Sequence, residues 1–239
     1  MDPAYAAVHA EQDQDHWWFR GRLAVILAAL EPRLPRRGVR LVELGCGSGG
    51  VLTALGRYGE AIGVELDDGL RDIAVGRGLD VRAGALPDRL PVEAGSADVV
   101  LLLDVLEHLE AEQAALDAAR TLLAPGGLFV ATVPAYRWLW SAHDVVLGHR
   151  RRYTRTELRR IVIEAGFTFE RATYFNTLLL PAIAAVRLAR RLTGRHGHDL
   201  QRPPAALNRA LAKIFAAERH LVSRVDLPFG GSVLLLAHA

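Results

Sequence analysis

Glycines and an acid recur at a spacing that suits binding of a nucleoside. Gly45, Gly47 and Gly50 follow a short apolar run, and Glu65 stands twenty residues after the first of them. Glycines at a strand–helix turn let the backbone approach a ligand closely, and an acid at that distance can accept hydrogen bonds from both ribose hydroxyls. The G-x-G-x-x-G pattern alone is weak, since an ordinary tight turn or a dinucleotide site also satisfies it.

Three histidines are candidates for a general base. His108 follows the apolar run at residues 97–103, while His143 and His149 lie in an aromatic, basic stretch after the next apolar run. Residues that follow parallel strands lie at the carboxyl edge of a sheet, where ligands bind in open α/β folds. A histidine there can take a proton from a hydroxyl or an amine. Each histidine can equally cap, pack or orient a loop, and the sequence leaves these roles open.

Two further groups of side chains suit a ligand. We expect Tyr136 and Tyr153 to donate hydrogen bonds to a substrate, and Arg152 to receive an acidic or phosphate-bearing group or to serve a structural role. Trp18, between two other aromatic residues, belongs either to a helix face in the core or to an aromatic lid over a cofactor. Arg22 is expected to pair with a ligand carboxylate or to be solvated.

Composition restricts the class of protein. The 239 residues are 51% hydrophobic and 23% charged with a net charge of +2, which excludes global disorder and does not demand a nucleic-acid partner. Cys46 is the only cysteine, so the chain has no internal disulfide, and a reducing cytoplasm is expected. The N-terminus is polar rather than basic and then apolar, and no run of 18 apolar residues predicts a membrane span.

Alternating apolar runs and helical patterns must position these residues. The predicted strands lie at residues 39–44, 61–65, 81–83, 97–103, 128–133, 167–174 and 231–237. The predicted helices lie at residues 16–31, 51–58, 69–77, 108–123, 154–165, 176–192 and 204–225. This alternation predicts an α/β protein with a Rossmann-like, doubly wound sheet. We divide it into an N-terminal helical lid (1–38), a cofactor-binding core (39–175), a helical cap insert (176–228) and a final core strand (229–239).

Five segments, in order, resemble the motifs of class I S-adenosylmethionine-dependent methyltransferases. They are residues 42–49 (VELGCGSG), 63–67 (GVELD), 83–87 (AGALP), 97–109 (ADVVLLLDVLEHL) and 122–127 (LLAPGG). The resemblance implies S-adenosylmethionine as cofactor, S-adenosylhomocysteine as product, and a mostly parallel sheet whose last strand is antiparallel and lies beside the sixth. Together the ordered segments are far more specific than the glycine pattern.

The resemblance also implies roles for single residues. In the family, the acid two positions before the first glycine serves the methionyl ammonium group, which is the place of Glu43 here. Residues 63–67 would bind the ribose and residues 83–87 would border the adenine. The family often has an aspartate where Gly84 or Ala85 stands, so backbone groups must contact the adenine amino group here. The expected cofactor-binding residues are Glu43, Gly45, Cys46, Gly47, Gly49, Glu65, Leu66, Ala85, Leu86, Asp104, Val105, Trp18 and Arg22.

A narrower resemblance concerns the substrate. Residues 16–22 and 147–153 resemble segments of bacterial methyltransferases of secondary metabolism or cell-surface glycan pathways. We expect methyl transfer to a small molecule, to a hydroxyl rather than an amine because no amine-binding motif follows the fourth strand, and with no nucleic acid and no metal. The alternatives are a cofactor-binding protein without methyl transfer and a nicotinamide-dependent oxidoreductase, whose pyrophosphate the acid Glu43 disfavours.

The cap insert leaves further questions open. Residues 177–192 are apolar with arginines clustered at the end, which is typical of a cap over a pocket, a dimer contact or a helix lying on a membrane surface. We expect a monomer or a homodimer.

Overall fold

The computed structural model describes residues 10, 12–34, 38–193 and 203–239, without the side chains of residues 190–192. The strands are β1 (Val39–Leu44), β2 (Gly59–Glu65), β3 (Asp80–Ala83), β4 (Ala97–Leu103), β5 (Leu123–Pro134), β6 (Thr168–Phe175) and β7 (Ser232–His238). The α-helices are α1 (Trp17–Leu30), α2 (Gly50–Leu55), α3 (Asp68–Gly76), α4 (Glu112–Leu122), α5 (Ala142–Leu147), α6 (Arg155–Glu164), α7 (Leu180–Thr193), α8 (Ala205–Ala217) and α9 (Arg219–Val222).

All seven strands form one sheet in the order β3-β2-β1-β4-β5-β7-β6. The first five run parallel, and β7 is inserted antiparallel between β5 and β6. The predicted fold class is therefore confirmed, including the antiparallel last strand. The order reverses between β1 and β4, and in open α/β sheets that switch point is where ligands bind.

The central strands are apolar along their length because both faces of the sheet are covered. In β4 every residue from Val99 to Leu103 is buried, and β1 is buried except for its second residue and includes the acid Glu43. Parallel strands with helices on both faces lack the polar alternation of a half-exposed strand. This explains why strand predictions from continuous apolar runs succeed here to within a few residues.

The predicted helix at residues 108–123 begins late. A 3₁₀ turn spans Leu106–His108, and α4 starts only at Glu112. Asp104 has a φ of 58°, so the chain leaves β4 through a left-handed residue and turns before the helix can form. His108 thus lies in a turn at the edge of the sheet rather than on a helix.

The turn at residues 125–127 does not end α4 in the predicted way. Strand β5 already begins at Leu123, and the pairing with β4 shifts register around this segment. Gly126 has a φ of 74°, which places a bulge inside the strand.

Helix α6 begins where its sequence signals predict, because Thr154 caps it and Glu157 completes the capping box.

Helix α1 packs on helix α8 of the insert. The backbone N–H of Trp17 donates to Oδ1 of Asn208 at 2.9 Å, and the amide of Asn208 donates to the carbonyl of Asp15 at 2.8 Å. Phe215, fully buried, lies against Gly21. The described parts of the predicted lid and of the insert are thus in contact. Residues 1–9, 11 and 35–37 of the lid and 194–202 of the insert lie outside the described residues.

Replacing Gly21 with alanine is expected to destabilise this contact. A Cβ atom there would lie 2.3 Å from the ring of Phe215, which is fully buried. Overpacking of this kind costs about 1–3 kcal/mol, which a urea unfolding curve would measure. Gly76→Ala is the control, because nothing lies within 4 Å of its Cβ position at the end of α3. Equal unfolding free energies for the two variants would contradict the close α1–α8 contact.

Among the described residues, no helix combines the length and apolar character needed to cross a bilayer.

Candidate active site

One cleft of about 1310 Å³ opens at the carboxyl edge of the central strands, under α1 and the insert. Most of the residues predicted for the site line it. They are Trp18, Arg22, Glu43, Gly45, Cys46, Gly47, Glu65, Leu66, Ala85, Leu86, Asp104, Val105, His108, His143, His149 and Arg152. The cleft thus brings together all three histidines and every predicted cofactor residue except Gly49.

The glycine loop is held in shape by Glu65. One oxygen of this carboxylate accepts from the N–H of Gly47 at 2.8 Å, and the other accepts from the N–H of Asp67 at 2.9 Å. Gly45 has a φ of 74°, and a Cβ atom on it would lie 2.7 Å from a methyl group of Val105. The loop therefore needs glycine at that position, and a carboxylate stands at the end of β2 where a ribose would lie.

Glu43 is a buried acid at the end of β1. Burial raises the pKa of its carboxyl group to about 8, the guanidinium of Arg22 opposes the rise, and Glu65 adds to it. A carboxyl group in such a place ionises readily only when a cation arrives. A positively charged ligand group beside Glu43 would stabilise the ionised form and lower this pKa.

Arg22 reaches from α1 across the cleft to the end of β4. Its guanidinium pairs with the carboxylate of Asp104 at 2.6 Å and lies 5.2 Å from the centre of the Trp18 ring. Asp104 is the left-handed residue that ends β4. The ion pair therefore ties the N-terminal helix to the sheet edge within the cleft.

Cys46 is small and inert. Its side chain is buried, burial raises the pKa of the thiol, and Glu43 and Glu65 raise it further. A protonated, buried thiol is a poor nucleophile.

A clamp at the N-terminal end of the cleft escaped the sequence analysis. Asp13 accepts from the hydroxyl of Ser48 at 2.7 Å and pairs with the guanidinium of Arg77 at 2.6 Å. The same guanidinium donates to the carbonyl of Ser48 at 2.7 Å. Because the partners come from three distant segments, no local pattern in the sequence indicates this clamp.

A buried ion pair supports His149. Asp144, fully buried in α5, accepts two hydrogen bonds from Arg152, at 2.7 and 3.0 Å, and one from Nδ1 of His149 at 2.9 Å. Burial alone would raise the pKa of Asp144, but the hydrogen bonds from His149 and Arg152 hold it well below its usual range. Arg152 is thus committed to Asp144 and to the carbonyl of Ala135.

His108 lies against His149, with the two ring centres 4.8 Å apart. Burial, together with the neighbouring imidazole of His149, lowers the pKa of His108 to about 4, so the ring of His108 is neutral at neutral pH. Both rings and the side chain of His143 line the cleft. A neutral imidazole at this edge can accept a proton or bind a cation.

Glu107 is a second residue that the sequence analysis missed. It is fully buried, lines the cleft, and neither of its oxygens has a hydrogen-bond partner in the described part of the chain. Burial and the nearby charge of Asp104 raise its pKa well above the usual range. Its only sequence signal is its place beside His108.

Three predicted site residues are absent from the described lining of the cleft. Gly49 lies just before α2, has a φ of 83° and faces the side chain of Leu79. Tyr153 is buried and donates to a carboxylate oxygen of Glu112 at 2.7 Å. Tyr136 stacks on Tyr174, with ring centres 5.0 Å apart.

Comparison with known proteins identifies the family. A family model described as a methyltransferase domain matches residues 12–172, about two thirds of the chain. The chain belongs to this methyltransferase family. A "probable S-adenosylmethionine-dependent methyltransferase" of Mycolicibacterium smegmatis is 30% identical over 164 residues, which cover 66% of this chain and 62% of the relative.

A ubiquinone biosynthesis O-methyltransferase of Xylella fastidiosa is 33% identical over 133 residues, 49% of this chain and 54% of the relative. The chain thus spans about half the length of several curated relatives. The fold of this methyltransferase family member also matches the chain solved with the Trm112 methyltransferase activator of Haloferax volcanii. Their TM-score is 0.64 at 20% identity, over 99% of this chain and 94% of the other. S-adenosylmethionine is the cofactor of this family, as the motifs implied.

Proposed function

We propose that the protein transfers the methyl group of S-adenosylmethionine to a hydroxyl of a small molecule. The observation that carries the proposal is the pair of acids around the glycine loop, Glu43 and Glu65, in one cleft. Glu65 suits the ribose hydroxyls, and Glu43 suits a cationic amino acid end. A dinucleotide cofactor is disfavoured, because its anionic pyrophosphate would lie beside the same two acids.

The remaining cofactor contacts follow from the lining of the cleft. We propose that Arg22 binds the methionyl carboxylate, exchanging part of its pairing with Asp104 for it. Leu66, Ala85 and Leu86 would border the adenine. The other proposed contacts, from the glycine loop, the sheet edge and α1, are Gly45, Cys46, Gly47, Val105 and Trp18.

The acceptor oxygen would attack the methyl carbon in line with the sulfur. The O–C bond forms as the S–C bond breaks, the sulfonium becomes a neutral thioether, and the hydroxyl proton passes to a histidine of the cleft. The candidates are His108, His143 and His149. Arg152 would position His149 through Asp144, whereas Tyr136 and Tyr153 lie outside the described lining and are not proposed as substrate contacts.

The relatives named as ubiquinone biosynthesis O-methyltransferases favour a hydroxyl acceptor in a biosynthetic pathway. The pathway that we propose is one of secondary metabolites or of cell-surface glycans and lipids. Incubation with methyl-labelled S-adenosylmethionine and a panel of phenols, sugars and matched amines would test this. We expect label in at least one hydroxyl compound together with equal release of S-adenosylhomocysteine. Transfer to amines only would contradict the hydroxyl assignment.

Binding of the cofactor is expected to release a proton from Glu43. Its carboxyl group, with a pKa of about 8, is mostly protonated at neutral pH, whereas the ammonium group favours the ionised form. Affinity should therefore rise from about pH 6.5 to about pH 8, by at most tenfold per unit, and stop rising above that pH because the α-amino group of the ligand, with an ordinary pKa of about 8, loses its proton.

Calorimetry in two buffers of different ionisation enthalpy would count the released protons. Glu43→Gln is the control, because the amine of the ligand titrates equally in both variants. We expect the count at neutral pH to fall by most of one proton in this variant. An unchanged count would show that Glu43 is already ionised or does not face the ammonium group.

We also propose that the insert is a cap over the acceptor. The cleft is lined by Leu179 just before α7, by Ile183 and Arg187 within α7, and by Leu207 and Leu211 of α8. Contact of residues 177–192 with a membrane surface is the competing proposal, since Leu178 and Leu188 are exposed. Flotation with anionic liposomes distinguishes the cap from membrane contact, and we expect the protein to stay at the bottom of the gradient.

We also propose that the protein works in the reducing cytoplasm, which suits its buried Cys46. Light scattering would distinguish a monomer from a homodimer.

A further inference from the structure

Three side chains at the end of β4 and after α5 meet in the cleft with the chemistry of a metal site. Glu107, His108 and His149 each offer one donor atom, and these three atoms lie within 4.8 Å of one another. Two imidazoles and one carboxylate are a donor set that zinc-like divalent ions prefer, unlike Mg²⁺ and Ca²⁺, which take mostly oxygen ligands.

The tautomer of His149 is set by Asp144. This carboxylate only accepts hydrogen bonds, so Nδ1 of His149 must carry the proton that it shares with Asp144 at 2.9 Å. In the neutral ring Nε2 then presents its lone pair, and it lies 4.0 Å from an oxygen of Glu107. A carboxylate that orients an imidazole in this way is the common outer partner of histidine ligands to metals.

Glu107 supplies the second, independent observation. It is fully buried with both oxygens unpartnered in the described part of the chain, a costly state for a carboxyl group. The separation of 4.0 Å from His149 is too long for a direct hydrogen bond. A water molecule or a cation between the two groups would satisfy both of them.

The balance of charge favours the cation. The nearby Arg22 is paired with Asp104 at 2.6 Å, and Arg152 is paired with Asp144 at 2.7 Å. Each arginine thus has its own carboxylate, and Glu107 lies beside two imidazoles without a hydrogen bond from either arginine in the described part of the chain. A divalent ion would give Glu107 a counter-charge without disturbing either ion pair.

We propose that Glu107, His108 and His149 bind one zinc-like divalent transition-metal ion in the cleft. Donor atoms around such an ion lie about 3.4 Å apart at bond lengths of about 2.1 Å, so the widest separation must shrink by roughly 1.4 Å on binding. Because the three side chains line the cleft, the remaining coordination positions face the space where an acceptor oxygen would lie. Of the three proposed bases, His143 is then the one outside the metal site.

Titration of metal into the protein tests this without cofactor or acceptor, so it is independent of the proposed transfer. Protein treated with a chelator and dialysed would be titrated with Zn²⁺ by calorimetry and with Co²⁺ by visible absorption. We expect one ion per chain and visible Co²⁺ bands of a site with nitrogen ligands. His149→Gln and the near-isosteric Glu107→Gln should weaken Zn²⁺ binding at least about tenfold, in line with loss of one ligand.

The control is His220→Gln, which removes an exposed histidine of α9 and should leave the titration unchanged. Circular dichroism of each variant ensures that only folded proteins are compared, and Glu107→Gln keeps the test valid if His149→Gln does not fold. Identical Zn²⁺ affinity in wild type and in folded Glu107→Gln, or no bound ion in the wild type, would overturn the proposal and assign the gap to water.

Discussion

Glu65→Gln is expected to lower the affinity for S-adenosylmethionine by about 10- to 150-fold. In this structure the carboxylate of Glu65 accepts hydrogen bonds from the N–H groups of Gly47 and Asp67. With the cofactor bound, it would accept hydrogen bonds from the ribose hydroxyls. An amide offers one acceptor and places an NH₂ group against a donor, so at least one charge-assisted hydrogen bond is lost, worth about 1.5–3 kcal/mol. Calorimetric titration with the cofactor measures the change.

Glu60→Gln is the matched control for this loss. Glu60 lies on the same strand, but it is half-exposed and pairs with Arg40 at the far end, away from the cleft. We expect less than about a twofold change in affinity, because exposed ion pairs contribute little. Should both variants bind the cofactor equally well, the ribose does not lie at Glu65.

Asp144→Asn is expected to lower the free energy of unfolding by about 3–5 kcal/mol. The substitution leaves the guanidinium of Arg152 buried without its counter-charge, and breaking a buried pair costs more than the pair itself contributes. It also weakens the cap of α5 and the support of His149. Urea unfolding at neutral pH, followed by circular dichroism, gives the value.

Two further variants sharpen this test. Glu164→Gln breaks an exposed pair with Arg160 on α6 and should cost under about 0.5 kcal/mol. Adding Arg152→Met to Asp144→Asn removes the stranded charge, so the double variant should regain part of the lost stability. A loss as small for Asp144→Asn as for Glu164→Gln would mean that the buried charge of Asp144 is not needed.

Most of the fold and of the cofactor edge is predictable from the sequence because local chemistry specifies it. The buried parallel strands are continuous apolar runs, and the glycines with the acids Glu43 and Glu65 stand at fixed distances from strand ends. The capping box at Thr154 marks the start of α6 within one residue. The place of β7 came from the family resemblance rather than from pattern.

The features that escaped prediction are those made by distant segments. Asp13 meets Arg77 and Ser48 only in the folded chain, and the late start of α4 follows from the left-handed backbone of Asp104. In the sequence, Glu107 has no feature that distinguishes it from other residues before a predicted helix. Its burial depends on the packing of the segment after β5 against the end of β4. The spacing of residues along one strand or helix carries no information about contacts between distant segments.

The central claim is that S-adenosylmethionine lies in this cleft between the two acids. A crystal structure of the protein with S-adenosylhomocysteine tests it most directly. We predict the carboxylate of Glu65 within about 3.2 Å of both ribose hydroxyls, the amino group beside Glu43, and the sulfur toward the side lined by the histidines. A folded protein whose cleft holds no ligand at saturating S-adenosylhomocysteine, or whose ligand lies away from Glu65, would contradict the account.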